Sequence, residues 1–369
     1  MSGGGISGLT LACALRASDI DVEVVESKPT LSDDGGVGLT LVGNALRALD
    51  TIGLARPIIE RGVPANSIRL CMSDGTLLRE QPTAGPWGEG IPGHCSISRK
   101  NLHAVLAQTA IDRGVRIRTG VHITASVPSP DGLDVTFSDG SRGRYRICAA
   151  AEGLFSDARA RLFPGVMPAH SGQASWRALV RRPEGLGTSE IYLGGKYGVV
   201  GVCPITPTDA YLYIVEAAPE HHREDDERLH VTMRERLQGA YGGRIPALLD
   251  QLTDPAVVSY RPLPALIAPA PWYREHTVLI GDAAHANPPV LAQGAAMGIE
   301  DAVVLADELR NHARDIDQIL ERFMARRYER ARSVVDSSVQ LARWEVEHTE
   351  NVDVPGVLAQ VSRMLAEPI

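Results

Sequence analysis

Hydrophobic positions change their period along this chain, and each change predicts an element. After the glycines at Gly3, Gly4, Gly5 and Gly8, the residues Leu9, Ala12, Cys13 and Arg16 recur at helical spacing. Asp21 to Glu26 then alternates, with Val22 and Val24 on one face and an acid at its end, which predicts a strand. Residues 114–149 read as a strand meander punctuated by two hairpin signals, Asp131-Gly132 and Asp139-Gly140. From about 168 to 218 the alternating segments lengthen: Ser175 to Val180, Val199 to Ile205, and Tyr211 to Val215. No helical pattern interrupts them, so they predict a separate, mostly antiparallel sheet. Val278-Leu279-Ile280 ends a buried strand, a helix follows from about Gln293, and a long helix is predicted over 316–345. The apolar stripe of that helix runs Ile316, Leu320, Phe323, Tyr328, Ala331, Val335, Val339, Ala342. Its arginines Arg322, Arg326, Arg327, Arg330 and Arg332 read as a solvated face.

Composition narrows the classes. The 369 residues carry 37 basic and 45 acidic side chains, a net charge of −8, which disfavours nucleic acid as the main partner. Five cysteines lie far apart with no C-x-x-C pair, which argues against a disulfide framework and a thiolate metal site. No run approaches the ~18 apolar residues of a membrane span and no signal-peptide pattern opens the chain, so a cytoplasmic protein is expected. Glycine is in excess, 36 residues, without low-complexity tracts. Such an excess points to tight turns and close backbone approaches, as around a bound cofactor.

The first candidate chemistry lies in those N-terminal glycines. Gly3-x-Gly5-x-x-Gly8 fits a dinucleotide fingerprint: a tight turn, room for a pyrophosphate, and close packing of the helix. Three glycines also fit a purely structural turn, but here they open a helix whose N–H groups can face a phosphate. Glu26 closes the next strand near the expected offset, where a carboxylate can accept from ribose hydroxyls. The fingerprint ordinarily follows a first strand, and only Met1 and Ser2 precede it, so native residues upstream of Met1 are expected.

A second signature is more specific: Gly281-Asp282-Ala283-Ala284-His285, then Pro288-Pro289, Gln293-Gly294 and Ile299-Glu300-Asp301-Ala302. A strand delivers Asp282 to its end, and the prolines and Gly294 shape a turn into a helix whose N-terminus stabilises negative charge. This resembles the second FAD motif of the single-component flavin-dependent aromatic hydroxylases, the salicylate and urate hydroxylases among them. Ser98-Arg99-Lys100-Asn101-Leu102, Gly38-Leu39-Thr40-Leu41 and Asn44-Ala45-Leu46-Arg47-Ala48-Leu49 resemble further family segments. Ala151-Glu152-Gly153-Leu154-Phe155-Ser156 with Arg159 matches A-D-G-x-x-S-x-x-R, except that Glu152 stands where Asp is usual. Ala295-Ala296-Met297 lacks the Asn that many relatives carry after Gln-Gly.

The resemblance implies an α/β fold: a Rossmann-like FAD-binding domain of glutathione-reductase type, an interleaved antiparallel-sheet substrate domain, and C-terminal helices. The expected boundaries are 1–165 and 263–310 for the FAD-binding parts, 166–262 for the substrate domain and 311–369 for the helical segment. The implied cofactor contacts are Gly3, Gly5, Ser7, Gly8, Glu26, Ser27, Thr40, Arg99, Ile123, Gly281, Asp282, Pro289, Gln293, Gly294, Ala295 and Ala296, with Asp282 holding the ribityl chain.

For function, the resemblance implies an NAD(P)H- and O2-dependent monooxygenase that hydroxylates a small aromatic or polycyclic ring through a C4a-hydroperoxyflavin. Another flavin oxidation, such as epoxidation or oxidative decarboxylation, and a non-redox protein keeping FAD as a prop remain alternatives. With one dinucleotide fingerprint suited to FAD, NAD(P)H is expected as a transient co-substrate. Tyr211 and Tyr213 share one face of the predicted sheet and Tyr197 lies on a neighbouring segment; all three are candidates for stacking on a substrate or for plain packing. Arg177 can grip a carboxylate or serve structure. His285 is a catalytic-base candidate that reads first as a hydrogen-bonded loop residue. His221-His222 with Glu224, Asp225 and Asp226 reads as a charged surface turn, and no metal is expected.

Overall fold

The computed structural model describes residues 1–31, 36–130, 132–311 and 315–369. Nine α-helices occur among them: α1 (Ile6–Arg16), α2 (Gly43–Asp50), α3 (Ala55–Ile59), α4 (Arg99–Asp112), α5 (Asp157–Leu162), α6 (Leu229–Leu237), α7 (Gly294–Asn311), α8 (Ile316–Val346) and α9 (Val354–Ala366).

Two sheets organise the chain. In the first, Glu23–Glu26 pairs in parallel with Arg116–Thr119, and Cys148–Ala150 pairs in parallel with Thr277–Leu279. The N-terminal residues join these two pairs. Ser2 bridges in parallel to both Val25 and Ala150, and Val25 N–H donates to the Met1 carbonyl at 2.9 Å. Helices cover both sides. One apolar cluster holds Leu9, Leu46, Leu102, Leu106 and Ile299 from α1, α2, α4 and α7; another holds Trp272, Leu279, Leu305, Phe323 and Leu365 against α7, α8 and α9. Burying each such side chain contributes roughly 1.5–3 kcal/mol.

The expected meander over 114–149 is only partly one. Its ends, Arg116–Thr119 and Cys148–Ala150, are parallel strands of the first sheet, while Ile123–Ser129, Gly132–Phe137 and Arg142–Tyr145 alone form an antiparallel meander. Both kinds of strand are short here, and local alternation does not distinguish their partners. Asp139-Gly140 turns the second hairpin; Asp131 of the first signal lies outside the described residues.

The second sheet has eight strands, and the expected domain boundary cuts through it. Ala169–Arg181, Glu190–Gly195, Gly198–Pro204, Asp209–Ala217 and Val258–Ile267 are joined at one end by Ser67–Met72 and Leu77–Pro82, and at the other by His285–Ala286. Register gives it two unlike faces. Ala174, Trp176, Ala178, Val200, Val202, Leu212 and Ile214 bury themselves with Met233 and Leu237 of α6. By alternation, Ser175, Arg177, Tyr211, Tyr213, Gly201 and Cys203 project from the opposite face. A Cβ built on Gly38 would crowd Ile205 and Tyr211, so this second face lies over the Gly38–Val42 strand.

The arginines of α8 correct the sequence expectation. Arg322 and Arg332 are exposed, but Arg327 is fully buried and Arg330 nearly so. Arg327 binds Glu300 at 2.5 Å and Asp301 at 2.8 Å; Arg330 binds Glu300 at 2.8 Å and donates to the carbonyls of Met364 and Leu365 in α9. Charge spacing on one helix cannot reveal acids waiting on another. Burial alone would raise the Asp301 carboxyl, yet His285 and Arg327 hold it down at about 2. Arg327→Met leaves both carboxylates buried and under-compensated, and should cost about 3–5 kcal/mol of stability. Arg332→Met, which loses only exposed pairs, should stay within about 0.5 kcal/mol. Urea midpoints of the two variants check the contrast; equal midpoints would show that the buried pairs contribute nothing.

Candidate cofactor and substrate site

Each glycine of the N-terminal turn has its own physical reason. Gly3 holds φ at +103°, and a Cβ there would strike the Ala151 carbonyl. A Cβ on Gly8 would strike the Gly3 carbonyl, whereas nothing lies within 4 Å of one on Gly5. α1 therefore begins beside open space, and Gly5 supplies no side-chain cap to its first N–H groups. An uncapped helix start with room in front of it fits a pyrophosphate. Glu26 stands beside it, accepting from the Gly4 N–H at 2.7 Å, the Lys28 N–H at 2.9 Å and the Ser27 hydroxyl at 3.2 Å. From the other side, the buried His103 of α4 donates through Nε2 to the Gly4 carbonyl at 2.8 Å.

The second motif locks onto the first. Gly281, at φ +61°, and Gly298 both lie against the Ser7 hydroxyl, where any side chain would collide. The next residue, Asp282, is exposed. Protein atoms packed around its carboxyl raise it above the usual carboxylate range, an effect that His285 and Arg99 partly offset. Arg99 begins α4, whose cap is the Ser98 hydroxyl accepting from the Asn101 N–H at 3.1 Å. Behind Asp282, Asp301 accepts from the Gly281 N–H at 2.9 Å and pairs with His285 Nε2 at 2.6 Å. Gln293 exchanges hydrogen bonds with Asn44, which also donates to Glu300 at 2.8 Å.

Ile123 and Ala296 of the implied cofactor set are buried. Ile123 packs with Val25, Val121 and Phe137 under the meander, and Ala296 is buried in the core between α1, α2 and α7. Thr40 meets the Ser96 hydroxyl at 3.0 Å on the adjacent strand. Pro289 is exposed in a 3-10 turn that precedes α7, which starts at Gly294 followed by Ala295. Glu152 takes over a local duty: it accepts from Ser2, Ser156 and the Ala158 N–H at 2.6–2.8 Å. Arg159, nearly fully buried, donates to the Ala283 carbonyl at 3.1 Å and so ties this segment to the Asp282 turn.

On the substrate side, Tyr211 and Tyr213 pack with ring centroids 5.3 Å apart, both half-buried. Burial raises both phenols, so they remain neutral donors and acceptors near pH 7. Arg177 sits opposite Tyr213 in the register, with its Nε 3.4 Å from the Ser175 hydroxyl. Tyr197 does not join them: it packs against the α6 side of the sheet, its N–H donating to the Tyr241 hydroxyl at 3.2 Å. His285 is buried between Asp301 and Trp272, whose ring centroid lies 5.0 Å away. His222 and Glu224 form a 3.0 Å pair in a turn that Arg236 shares. His103 was not singled out from the sequence; the four-residue spacing of Arg99 and His103 on one helix face was the available signal for it.

A family model described as an FAD binding domain matches residues 2–338. The chain belongs to that FAD-binding family. A 2-heptyl-3-hydroxy-4(1H)-quinolone synthase of Pseudomonas aeruginosa is 34% identical over 83% of this chain and 79% of its own length. An aurachin C monooxygenase/isomerase of Stigmatella aurantiaca is 31% identical over 94% of this chain and 89% of its own. In fold, the chain is similar to Klebsiella pneumoniae HpxO solved with FAD and uric acid: TM-score 0.81 at 23% identity, covering 100% of this chain and 92% of that one. The protein is an FAD-dependent enzyme of the monooxygenase kind.

Removing the Asp282 carboxylate should cost about 1.5–3 kcal/mol of FAD binding, or about ten- to a hundredfold in affinity. Gly5→Ala offers a sharper test, because the added methyl meets no protein atom. Its thermal unfolding without FAD should match the parent while FAD titration shows weakened binding. Full FAD affinity in Gly5→Ala would remove the pyrophosphate from this turn.

Proposed function

We propose that the protein inserts one oxygen atom of O2 into an aromatic or heteroaromatic ring bearing an oxygen acceptor, such as a carbonyl, phenolate or carboxylate. NAD(P)H supplies the two electrons: ring C–H, O2, NAD(P)H and a proton become ring C–OH, NAD(P)+ and water. The observation that carries the reading is Arg177. It is half-buried on the face that overlies the Gly38–Val42 strand, and among the described residues no carboxylate pairs with it. A guanidinium in that position, with Ser175 beside it and Tyr211 within its field, suits an anionic or strongly accepting oxygen.

Bound FAD supplies the electron transfer and oxygen activation. Gly3, Gly5, Gly8, Glu26, Arg99 and Asp282 would hold it, and the chain's other contributions are orientation and exclusion of water. The two tyrosine rings, tilted 36° to one another, give an aromatic wall for a substrate ring. Their neutral hydroxyls can donate to or accept from a ring substituent without introducing charge. Cys203 and Ile205 extend that wall without exposing further polar groups. A second set of glycines at the fingerprint spacing, Gly88, Gly90 and Gly93, lies in the loop between the strands Leu77–Pro82 and His94–Ser98 and opens no helix, which supports a transient encounter of NAD(P)H rather than a standing nucleotide site.

The relative named for a 3-hydroxy-4(1H)-quinolone makes a 4-quinolone the first probe, with hydroxybenzoates and an acceptor-free arene as controls. NAD(P)H oxidation and mass spectrometry of the products under air should show one added oxygen on an acceptor-bearing ring. Arg177→Met should weaken binding of that ring about ten- to a hundredfold, the loss of one charged hydrogen bond. Equal turnover of the acceptor-free arene would overturn the assignment of Arg177.

A further inference from the structure

We infer that His103 is a positioning residue for the cofactor's pyrophosphate, acting through the Gly4–Gly5 peptide plane. A trans peptide places its C=O and its N–H on opposite sides of one rigid plane. His103 Nε2 holds the Gly4 carbonyl at 2.8 Å on the α4 side. The Gly5 N–H is thereby turned away from α4, and among the described residues it has no protein acceptor. The same glycine's Cβ direction is open for at least 4 Å. Gly4 itself is held at both ends, since its own N–H goes to Glu26 at 2.7 Å. A Gly-Gly-Gly segment has the widest backbone freedom of any tripeptide, and without these two anchors the plane could rotate and withdraw its donor.

His103 is suited to this duty. It is nearly fully buried, so no water competes for the Gly4 carbonyl, and a carbonyl can only accept, which fixes the proton on Nε2. It lies one helical turn beyond Arg99, whose charge reaches Asp282. One face of α4 thus serves both glycine motifs: His103 sets the phosphate turn and Arg99 stands near the Asp282 turn.

Three variants of the full chain, stripped of FAD and titrated by flavin fluorescence quenching, test this. His103→Phe keeps a ring but removes the donor, and should weaken FAD about three- to tenfold, the worth of one net hydrogen bond. ADP competition should weaken by the same factor, while riboflavin binding stays at the parent value. His103→Gln, whose amide N–H reaches the Nε2 position, should restore most of the affinity, and His103→Ala should not. Unfolding temperatures of the FAD-free variants separate positioning from stability. Parent-like FAD and ADP affinity in His103→Phe overturns the inference, as does equal impairment of the Gln and Phe variants or a loss confined to riboflavin.

Discussion

Charge withdrawn from water is the constraint on which the rest of this molecule depends. Glu300 and Asp301 project from α7, Arg327 and Arg330 from α8, and none of the four can find a replacement partner in solvent. Inside a low-dielectric core each must be met almost completely, so the positions of the two helices are determined together. The remaining hydrogen-bonding capacity of those acids then fixes what lies next to them. Asp301 reaches Gly281 and His285, Glu300 reaches Asn44, and Arg330 reaches the carbonyls at the end of α9. Loops that carry Asp282 and Gln293 therefore inherit their placement from a cluster that is itself buried.

The large sheet solves a different problem with simple alternation. Trp176 and Arg177 are neighbours in sequence, yet one is a core residue under α6 and the other looks onto the proposed substrate position. A one-residue slip of that strand would exchange them, burying a guanidinium among apolar side chains and exposing a tryptophan. The bulge between His170 and Gln173, and Gly201 lying flat under Tyr213, belong to the same register. Stability and chemistry are thus written on alternate residues of the same strands.

Much of the architecture was legible because local pattern and long-range structure agreed. α1 with its glycines, the strand ending at Glu26, the long helix and the alternating segments all obey periods visible within a few residues. Illegible features were those decided by a distant partner. Arg327 looks like any helix-surface arginine until Glu300 and Asp301 are placed against it. Ser67–Met72 and Leu77–Pro82 read no differently from other short strands, and only pairing at Glu190–Gly195 adds them to the second sheet. Tyr197 shares its residue type with Tyr211 and Tyr213, but the hairpin turn between its strands carries it to the opposite side. Glycine spacing identified the turn at Gly3 to Gly8, while the side chain that orients its peptides came from a helix almost a hundred residues away.

The five cysteines, all free and buried, have a consequence for the chain's own durability. Burial pushes every one of these thiols up, Cys13 and Cys203 to about 11 and Cys95 to about 12. Peroxide attacks the thiolate, not the thiol, and prefers sulfur it can reach. An enzyme that brings a reducing cofactor together with O2 works beside a source of that oxidant. Cys203 lies on the sheet face that carries Tyr211 and Tyr213, and at neutral pH it is almost wholly protonated. The molecule thus keeps its thiols in the protonated, inaccessible form that such a by-product oxidises most slowly.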